Sequence, residues 1–186
     1  MTLHLIVGPM FSGKTTRLVS LLREAQSRRL NLVAVKPRVD NRYAPRAIVS
    51  HDGQRWPAKG VTSAAELIRM AEGATMIAVD EAQFFSLEIS SALKSLSDGG
   101  AAVTVAALDR DFRGERFSTT SAILELATSV EPLTASCGLC GRAAEFSQRL
   151  IDGAPASVDD PTVVIGGAET YQPRCARCFW KEREPR

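Results

Sequence analysis

Residues 8–15 match the phosphate-loop pattern G-x-x-x-x-G-K-[ST] at every fixed position. In such a loop, glycines allow backbone N–H groups to turn toward phosphate oxygens, and the following helix points its positive end at the same phosphates. Lys14 would reach the β- and γ-phosphates of a nucleoside triphosphate, and the Thr15 hydroxyl would hold Mg²⁺. The alternative is an ordinary glycine-containing turn before a helix. The predicted nucleotide-binding residues of this loop are Gly8, Pro9, Met10, Phe11, Ser12, Gly13, Lys14 and Thr15.

Two adjacent carboxylates, Asp80 and Glu81, follow the apolar run 75–79. An apolar strand that ends in an Asp has the form of a Walker B element, whose carboxylate binds magnesium directly or through water. A second carboxylate that is not tied to the metal suits a general base. The alternative is a solvated turn. The pair predicts phosphate transfer, but it does not separate a kinase from an ATPase that activates water.

Four cysteines in the last third of the chain form two C-x-x-C pairs, Cys137 with Cys140 and Cys175 with Cys178. Two such turns can bring four thiolates to one ion, which predicts a tetrahedral zinc site that braces structure and has no open position for catalysis. The alternatives are two disulfides, which the cytosol disfavours, or a redox pair, which needs only one C-x-x-C. The 34 residues between the pairs exceed what a minimal zinc ribbon needs, so a loop outside the ribbon core is expected.

Aromatic and cationic residues follow the ends of two predicted strands. Phe84, Phe112 and Phe117 offer flat faces beside the phosphate site, on which a planar base could stack, although an aromatic at a strand end often belongs to the core. Arg42 and Arg113 are candidates for neutralising charge on the transferred group. For Arg42 the alternative is simple surface charge.

Strands and helices must position these residues, and the sequence alternates them from residue 3 to about residue 128. Near-continuous apolar runs are typical of strands that are buried on both faces. This pattern predicts an α/β fold in which a parallel sheet of the P-loop, RecA-like type has helices on both faces. Residues 37–60 carry many charges and turn-forming residues and are expected to form a long excursion. The runs are residues 3–7, 32–35, 75–79 and 101–108.

Length and composition suit a globular protein with one main domain. The chain has 186 residues, 45% of them hydrophobic and 24% charged, and a net charge of +2. We expect a nucleotide-binding domain over residues 1–132 and a small appended zinc-ribbon subdomain over residues 133–186. No apolar run approaches the length of a membrane helix, and the amino terminus does not have the features of a signal peptide. A cytoplasmic location and no nucleic-acid partner are therefore expected.

Five motifs occur in a fixed order along nearly the whole chain: GPMFSGKT at 8–15, VDEAQFF at 79–85, LDRDFRG at 108–114, the two cysteine pairs, and IGGAETY at 165–171. Together they closely resemble the zinc-containing thymidine kinases, the type found in bacteria and in animal cytosol. A phosphate loop alone is generic, whereas this combination is highly specific.

The resemblance implies transfer of the ATP γ-phosphate to the 5′-hydroxyl of thymidine or deoxyuridine, which gives dTMP from thymidine in nucleotide salvage. Glu81 matches the catalytic base of the family. Asp80, Gln83 and Arg42 join the nucleotide-binding residues, with Arg42 on a flexible loop that approaches the phosphates. ATP, Mg²⁺ and structural Zn²⁺ are the implied cofactors. The family also implies a homotetramer that is inhibited by dTTP.

The same resemblance implies a nucleoside pocket that is closed by a lasso loop at about 162–171. The zinc ribbon would anchor both ends of this loop, so that its backbone could hydrogen-bond the base. The competing hypothesis is an ATPase whose ribbon grips nucleic acid or a protein, against which the near-neutral charge argues. The implied nucleoside-binding residues are Met10, Phe84, Leu108, Phe112, Phe117, Ser147, Thr162, Val163, Val164, Ile165, Gly166 and Tyr171.

Overall fold

A computed structural model describes residues 2–40, 44–164 and 166–183 of the chain, and a six-stranded parallel sheet forms its centre. The strands are β1 (Thr2–Val7), β2 (Leu32–Pro37), β3 (Ala47–Val49), β4 (Arg55–Pro57), β5 (Lys59–Val61), β6 (Met76–Val79), β7 (Ala102–Ala107), β8 (Ser129–Pro132), β9 (Ala135–Ser136), β10 (Ala143–Ala144), β11 (Phe146–Ile151), β12 (Ala154–Pro155) and β13 (Tyr171–Arg174). The order in the central sheet is β5-β2-β6-β7-β1-β8, and every neighbouring pair is parallel. The predicted parallel α/β sheet is confirmed.

Helices cover both faces of this sheet, because successive strand residues belong to different cores. The helices are α1 (Lys14–Ser27), α2 (Ala64–Met70), α3 (Glu88–Asp98), α4 (Ser118–Leu126) and α5 (Ala176–Lys181). Leu5 packs into a core with α2, α3 and α4, whereas the next residue, Ile6, packs into a core with α1 and the β3–β4 hairpin. Ser63 caps α2, with its Oγ accepting the Glu66 N–H at 3.2 Å.

Two parts of the central fold differ from the sequence-based expectation. The excursion at 37–60 contains the antiparallel β3–β4 hairpin and also β5, which joins the sheet edge beside β2. The strand β8, which the apolar pattern did not indicate, pairs with β1 at the opposite edge. Both edge strands are short, and Val130 in β8 is exposed, so neither shows the continuous apolar run of a central strand.

Small antiparallel sheets follow β8. β9 pairs with β10, and β11 lies between β12 and β13. The short helix α5 begins after Cys175, and its buried Phe179 stacks on Phe146 of β11 with ring centroids 4.4 Å apart. None of the helices in the described ranges has both the length and the apolar character that crossing a membrane requires.

Candidate active site

The segment between β1 and α1 makes the tight turn that a phosphate loop requires. A Cβ on Gly8 would meet the Leu133 carbonyl oxygen at 2.3 Å, so only glycine fits there. Gly13, with φ of +85°, takes the left-handed conformation directly before α1. Lys14 is buried, and its Nζ donates to the Pro9 carbonyl at 2.6 Å. The loop thus holds the Lys14 ammonium among its own backbone groups, beside the amino-terminal end of α1.

Thr15 and Asp80 pair a hydroxyl with a carboxylate at the end of β6. Thr15 Oγ1 lies 3.3 and 3.2 Å from the two Asp80 carboxylate oxygens. Burial and the charge of Glu81 raise the pKa of Asp80 to about 7, although the Lys14 ammonium opposes the rise. Oxygen donors of this kind are the ligands that Mg²⁺ prefers, and a cation beside them would favour the ionised carboxylate.

Glu81 occupies the first position after the Walker B aspartate in a left-handed conformation, with φ of 54° and ψ of 39°. A non-glycine residue in this region stores backbone strain, which is frequent at functional sites. The Gln83 amide nitrogen lies 2.5 Å from Glu81 Oε2, and its amide oxygen accepts the Leu108 N–H at 3.0 Å. Gln83 thus bonds both Glu81, which follows β6, and Leu108, which follows β7. Because its amide is fixed at Leu108, it orients the Glu81 carboxylate.

Two cavities adjoin each other at the carboxyl ends of the strands. The larger is lined by the phosphate loop from Met10 to Thr15 and by Glu81. The smaller is lined mainly by aromatic and aliphatic side chains with a few polar ones, as is usual for small-molecule sites. Met10 and Leu108 line both cavities. The predicted nucleoside-binding residues that line the smaller cavity are Met10, Phe84, Leu108, Phe112, Phe117, Ser147, Thr162, Val163, Val164, Gly166 and Tyr171.

Ser147 connects the phosphate loop to the carboxyl-terminal sheet. Its Oγ, on the buried part of β11, accepts the Met10 N–H at 2.9 Å. This bond joins the wall shared by the two cavities to the strand that precedes the lasso segment. The phosphate loop therefore has a direct contact with the subdomain that carries the cysteines.

The turn after β7 carries Phe112 into the smaller cavity. The Asp111 carboxylate accepts the backbone N–H groups of Arg113 and Glu115 at 2.9 and 3.0 Å, which closes the turn. Arg113 also donates its Nε to Asp111 at 2.9 Å and its Nη2 to Thr162 Oγ1 at 2.5 Å. Arg113 does not line the larger cavity in the described part of the chain. In this structure Asp111 and the start of the lasso engage its guanidinium, and its role in neutralising transferred charge stays a prediction.

Tyr171 closes the far end of the lasso segment. Its hydroxyl donates to the Val164 carbonyl at 2.8 Å, and its own N–H donates to the Gly167 carbonyl at 2.9 Å. The Glu169 carboxylate accepts the Gly167 N–H at 2.7 Å. These bonds hold the segment against the cavity that it helps to line. Two predicted site residues, Arg42 and Ile165, lie outside the described residues.

The four cysteine thiols converge on one point. Their Sγ atoms all lie within 4.8 Å of one another, and Cys140 Sγ is 3.6 Å from both Cys175 Sγ and Cys178 Sγ. Thiolates about 2.3 Å from a tetrahedral zinc ion are about 3.8 Å apart, so the cluster fits this geometry. All four residues are free cysteines rather than disulfides. The arrangement therefore matches the predicted zinc site.

The local backbone prepares two of these thiols to ionise. Burial raises the pKa of Cys137, but N–H donors from Cys175, Leu139 and Cys140 outweigh it and lower the pKa to about 6. The backbone N–H of Cys178 lowers the pKa of Cys175. Burial and the neighbouring thiols raise the pKa of Cys178 to about 12. Four negative charges at this distance repel one another, and a divalent cation is what would allow all four thiols to ionise.

A family model described as thymidine kinase matches residues 1–179. The chain belongs to the thymidine kinase family. A relative, the thymidine kinase of Coprothermobacter proteolyticus, is 44% identical over 173 residues, which cover 93% of this chain and 87% of the relative. The resemblance drawn from the motifs is confirmed, and with it the expectation of an ATP-dependent kinase. The alternative of an ATPase with a nucleic-acid-binding ribbon is not favoured.

Several residues of this thymidine kinase family member line the cavities but were not among the predicted site residues. In the β3–β4 hairpin, His51 lies edge-on to Phe11 with ring centroids 4.8 Å apart, and Asp52 accepts the Thr16 hydroxyl at 3.0 Å. The hairpin lies in the charged excursion, where no periodicity indicated a contact with the phosphate loop. The additional lining residues are Arg110 and Asp111 in the smaller cavity, and Thr16, Arg17, Ser20, Val49, His51, Asp52 and Leu133 in the larger.

Proposed function

We propose that this protein transfers the γ-phosphate of ATP to the 5′-hydroxyl of thymidine, or of deoxyuridine, and so forms dTMP from thymidine. The observation that carries the proposal is the wall shared by two cavities, where Met10 and Leu108 line both the phosphate-loop cavity and the aromatic cavity. A nucleoside in the smaller cavity would place its sugar near this wall. Its hydroxyl would then face a triphosphate held by the loop.

The nucleotide would be bound by the residues of the phosphate loop. Its backbone N–H groups and the amino-terminal end of α1 would bind phosphate oxygens, and Lys14 would exchange its bond to the Pro9 carbonyl for the β- and γ-phosphates. Thr15 and Asp80 would hold Mg²⁺, which when bound neutralises phosphate charge. Arg42 and Gln83 complete the proposed nucleotide-binding set. Arg42 is assigned on its match to the family motif alone.

Glu81 would act as the general base. Its carboxylate lines the phosphate cavity and is oriented by the Gln83 amide. From there it would take the proton of the 5′-hydroxyl as the oxygen attacks the γ-phosphorus. A base held in place before the substrate binds avoids part of the entropic cost of assembling the reacting groups.

The nucleoside base would stack against aromatic side chains and be read by the lasso backbone. Phe112 and Tyr171 are buried beside this cavity. Ser147 lies at the edge of the cavity, where it bonds Met10 of the phosphate loop. Ile165 is proposed as a lasso contact on its match to the family motif.

We further propose a division into residues 1–132 and 133–186, zinc as the ion bound by the cysteines, a homotetramer, inhibition by dTTP, and a cytoplasmic location.

Incubation with γ-labelled ATP and each nucleoside tests the proposed reaction. We expect label on thymidine and deoxyuridine. Release of labelled inorganic phosphate that DNA or RNA stimulates, with no labelled nucleoside, would favour an ATPase instead. Glu81→Gln should lower kcat about 10²–10⁴-fold while ATP binding persists. Glu88→Gln, at the exposed start of α3, is the matched control and should keep wild-type turnover.

A further inference from the structure

Arg149 is a buried cation that its surroundings satisfy only in part. It lies in β11, is 1% exposed, and is among the largest fully buried side chains. Its Nη1 donates to the Pro161 carbonyl at 2.7 Å. Within residues 2–40, 44–164 and 166–183, its Nε and Nη2 have no hydrogen-bond partner. Burying a guanidinium in this way costs free energy, so a purely structural explanation is weak.

The guanidinium lies over a ring of the nucleoside cavity. Arg149 Cζ is 3.6 Å from the centroid of the Phe112 ring, within the range of a cation–π contact. Phe112 lines the smaller cavity, whereas Arg149 does not. The Arg149 guanidinium therefore contacts the Phe112 ring outside the cavity, and this contact fixes the position of the ring.

The same side chain also holds a second segment that lines the cavity. Pro161, whose carbonyl accepts the Arg149 bond, directly precedes Thr162, Val163 and Val164, which line the cavity as the start of the lasso. One guanidinium thus joins the ring on one wall to the chain that forms another. Because a guanidinium is planar and carries its donors in a rigid fork, it can stack and donate at once.

Among the described residues, two other arginines approach the Phe112 ring, but they have other partners. Arg113 Cζ is 5.5 Å from the ring centroid and is paired with Asp111, and Arg183 Cζ is 5.9 Å away and donates its Nη2 to the Phe112 carbonyl at 2.6 Å. In the described ranges no carboxylate forms an ion pair with Arg149. The ring and the Pro161 carbonyl are its principal contacts.

We propose that Arg149 is a positioning residue for the nucleoside, which fixes Phe112 and the start of the lasso relative to each other before the substrate binds. The inference rests on the proposed thymidine kinase activity, because it concerns the affinity of that cavity for its nucleoside. In the described ranges, the Arg149 guanidinium bonds the Pro161 carbonyl and stacks on the Phe112 ring, and no hydrogen bond joins it to the phosphate loop. Its loss should therefore change nucleoside affinity without changing nucleotide affinity.

The test compares Arg149→Met with Arg149→Lys in the zinc-loaded protein. Met keeps an unbranched apolar stem that can stay buried but lacks the guanidinium, with its charge and donors. We expect its KM for thymidine to rise about tenfold with the KM for ATP and kcat within about twofold of wild type. Lys keeps the charge but cannot stack and donate at once, so an intermediate KM is expected. The Tm of ligand-free Arg149→Met should equal or exceed that of wild type, because a buried and partly unsatisfied cation has been removed.

Arg183→Met is the control, because it removes another cation beside Phe112 that has no bond to Pro161. Its KM for thymidine should rise less than that of Arg149→Met. An unchanged thymidine KM in Arg149→Met, equal rises in both variants, or parallel losses of Tm and of thymidine and ATP affinity would each overturn the inference. If wild-type protein fails to phosphorylate or bind thymidine, the proposed function fails, which is a different outcome.

Discussion

Replacing Gly114 by alanine tests how the cysteine-bearing subdomain supports the nucleoside cavity. Gly114 has φ of +89° in the turn that carries Phe112. A Cβ there would lie 3.2 Å from Phe179 Cε1 and 3.4 Å from ring atoms of Phe146 and Trp180. These three rings are packed on one another, so none can move without moving the others. The turn and α5 thus meet at a point where an added methyl group would force the Phe179 ring to shift by a few tenths of an ångström.

The cost has two parts that can be separated. The left-handed backbone disfavours an alanine by about 1–2 kcal/mol, and overpacking the aromatic cluster adds about 1–3 kcal/mol. For a chain of this size, each kcal/mol lowers Tm by about 2–4 °C, so a fall of about 4–20 °C is expected. Because Phe112 belongs to the same turn, the KM for thymidine should rise while the KM for ATP stays near wild type.

Urea unfolding of Gly114→Ala, together with steady-state kinetics well below Tm, measures both effects. Gly100→Ala is the matched control, since its φ is +98° and no described atom lies within 4 Å of an added Cβ. It should show the backbone cost alone and normal kinetics. Equal losses of unfolding free energy in the two variants would refute the packing part of the reasoning. A wild-type thymidine KM in Gly114→Ala would refute the link to Phe112.

Three further predictions follow from the same geometry. Cys175→Ser should lose zinc, lower the unfolding free energy by several kcal/mol and weaken thymidine binding. Metal content, urea unfolding and calorimetry measure these three effects. Loss of zinc with unchanged stability and unchanged thymidine binding would contradict the anchoring of the lasso. Met10→Gly should change the ratio of kcat/KM between thymidine and deoxycytidine about tenfold with little change in ATP affinity, and an unchanged nucleoside profile would remove Met10 from the pocket. The pKa of Asp80 is about 7 in the folded protein and 3.8 in the unfolded chain. This group therefore lowers the free energy of unfolding as the pH rises between those values. In Mg²⁺-free buffer, Asp80→Asn should therefore unfold with a free energy on the order of 1–3 kcal/mol above wild type at pH 8 and with little gain at pH 4; parallel pH profiles would contradict this.

The central sheet could be predicted because its inner strands are mostly apolar, with only a few polar positions. Leu5 and Ile6 face different cores, and such a run is the pattern of a strand covered on both sides. The edges could not be predicted in this way. β5 has only three residues, and Val130 in β8 is 42% exposed, so neither strand carries enough buried side chains to leave a pattern.

Much of the candidate site could be predicted because parallel strands place their carboxyl ends at one edge. Glu81 and Phe112 follow different strands and line adjacent cavities for this reason. Residues that act through packing left no such signal. Arg149 is one of many arginines in the sequence, and only the fold shows that it lies over Phe112.

The boundary between the two cavities is held by hydrogen bonds from side chains to the backbone groups of Met10 and Leu108. The Met10 N–H is bonded by Ser147, the Leu108 N–H by Gln83, and the Leu108 carbonyl by the Thr120 hydroxyl at 2.7 Å. Each bond comes from a different segment of the chain, so the wall depends on the sheet, on α4 and on the carboxyl-terminal subdomain together. A phosphate loop by itself would bind only the nucleotide. The bond from Ser147 makes the position of Met10, and hence the space left for the nucleoside, depend on the subdomain that carries the cysteines.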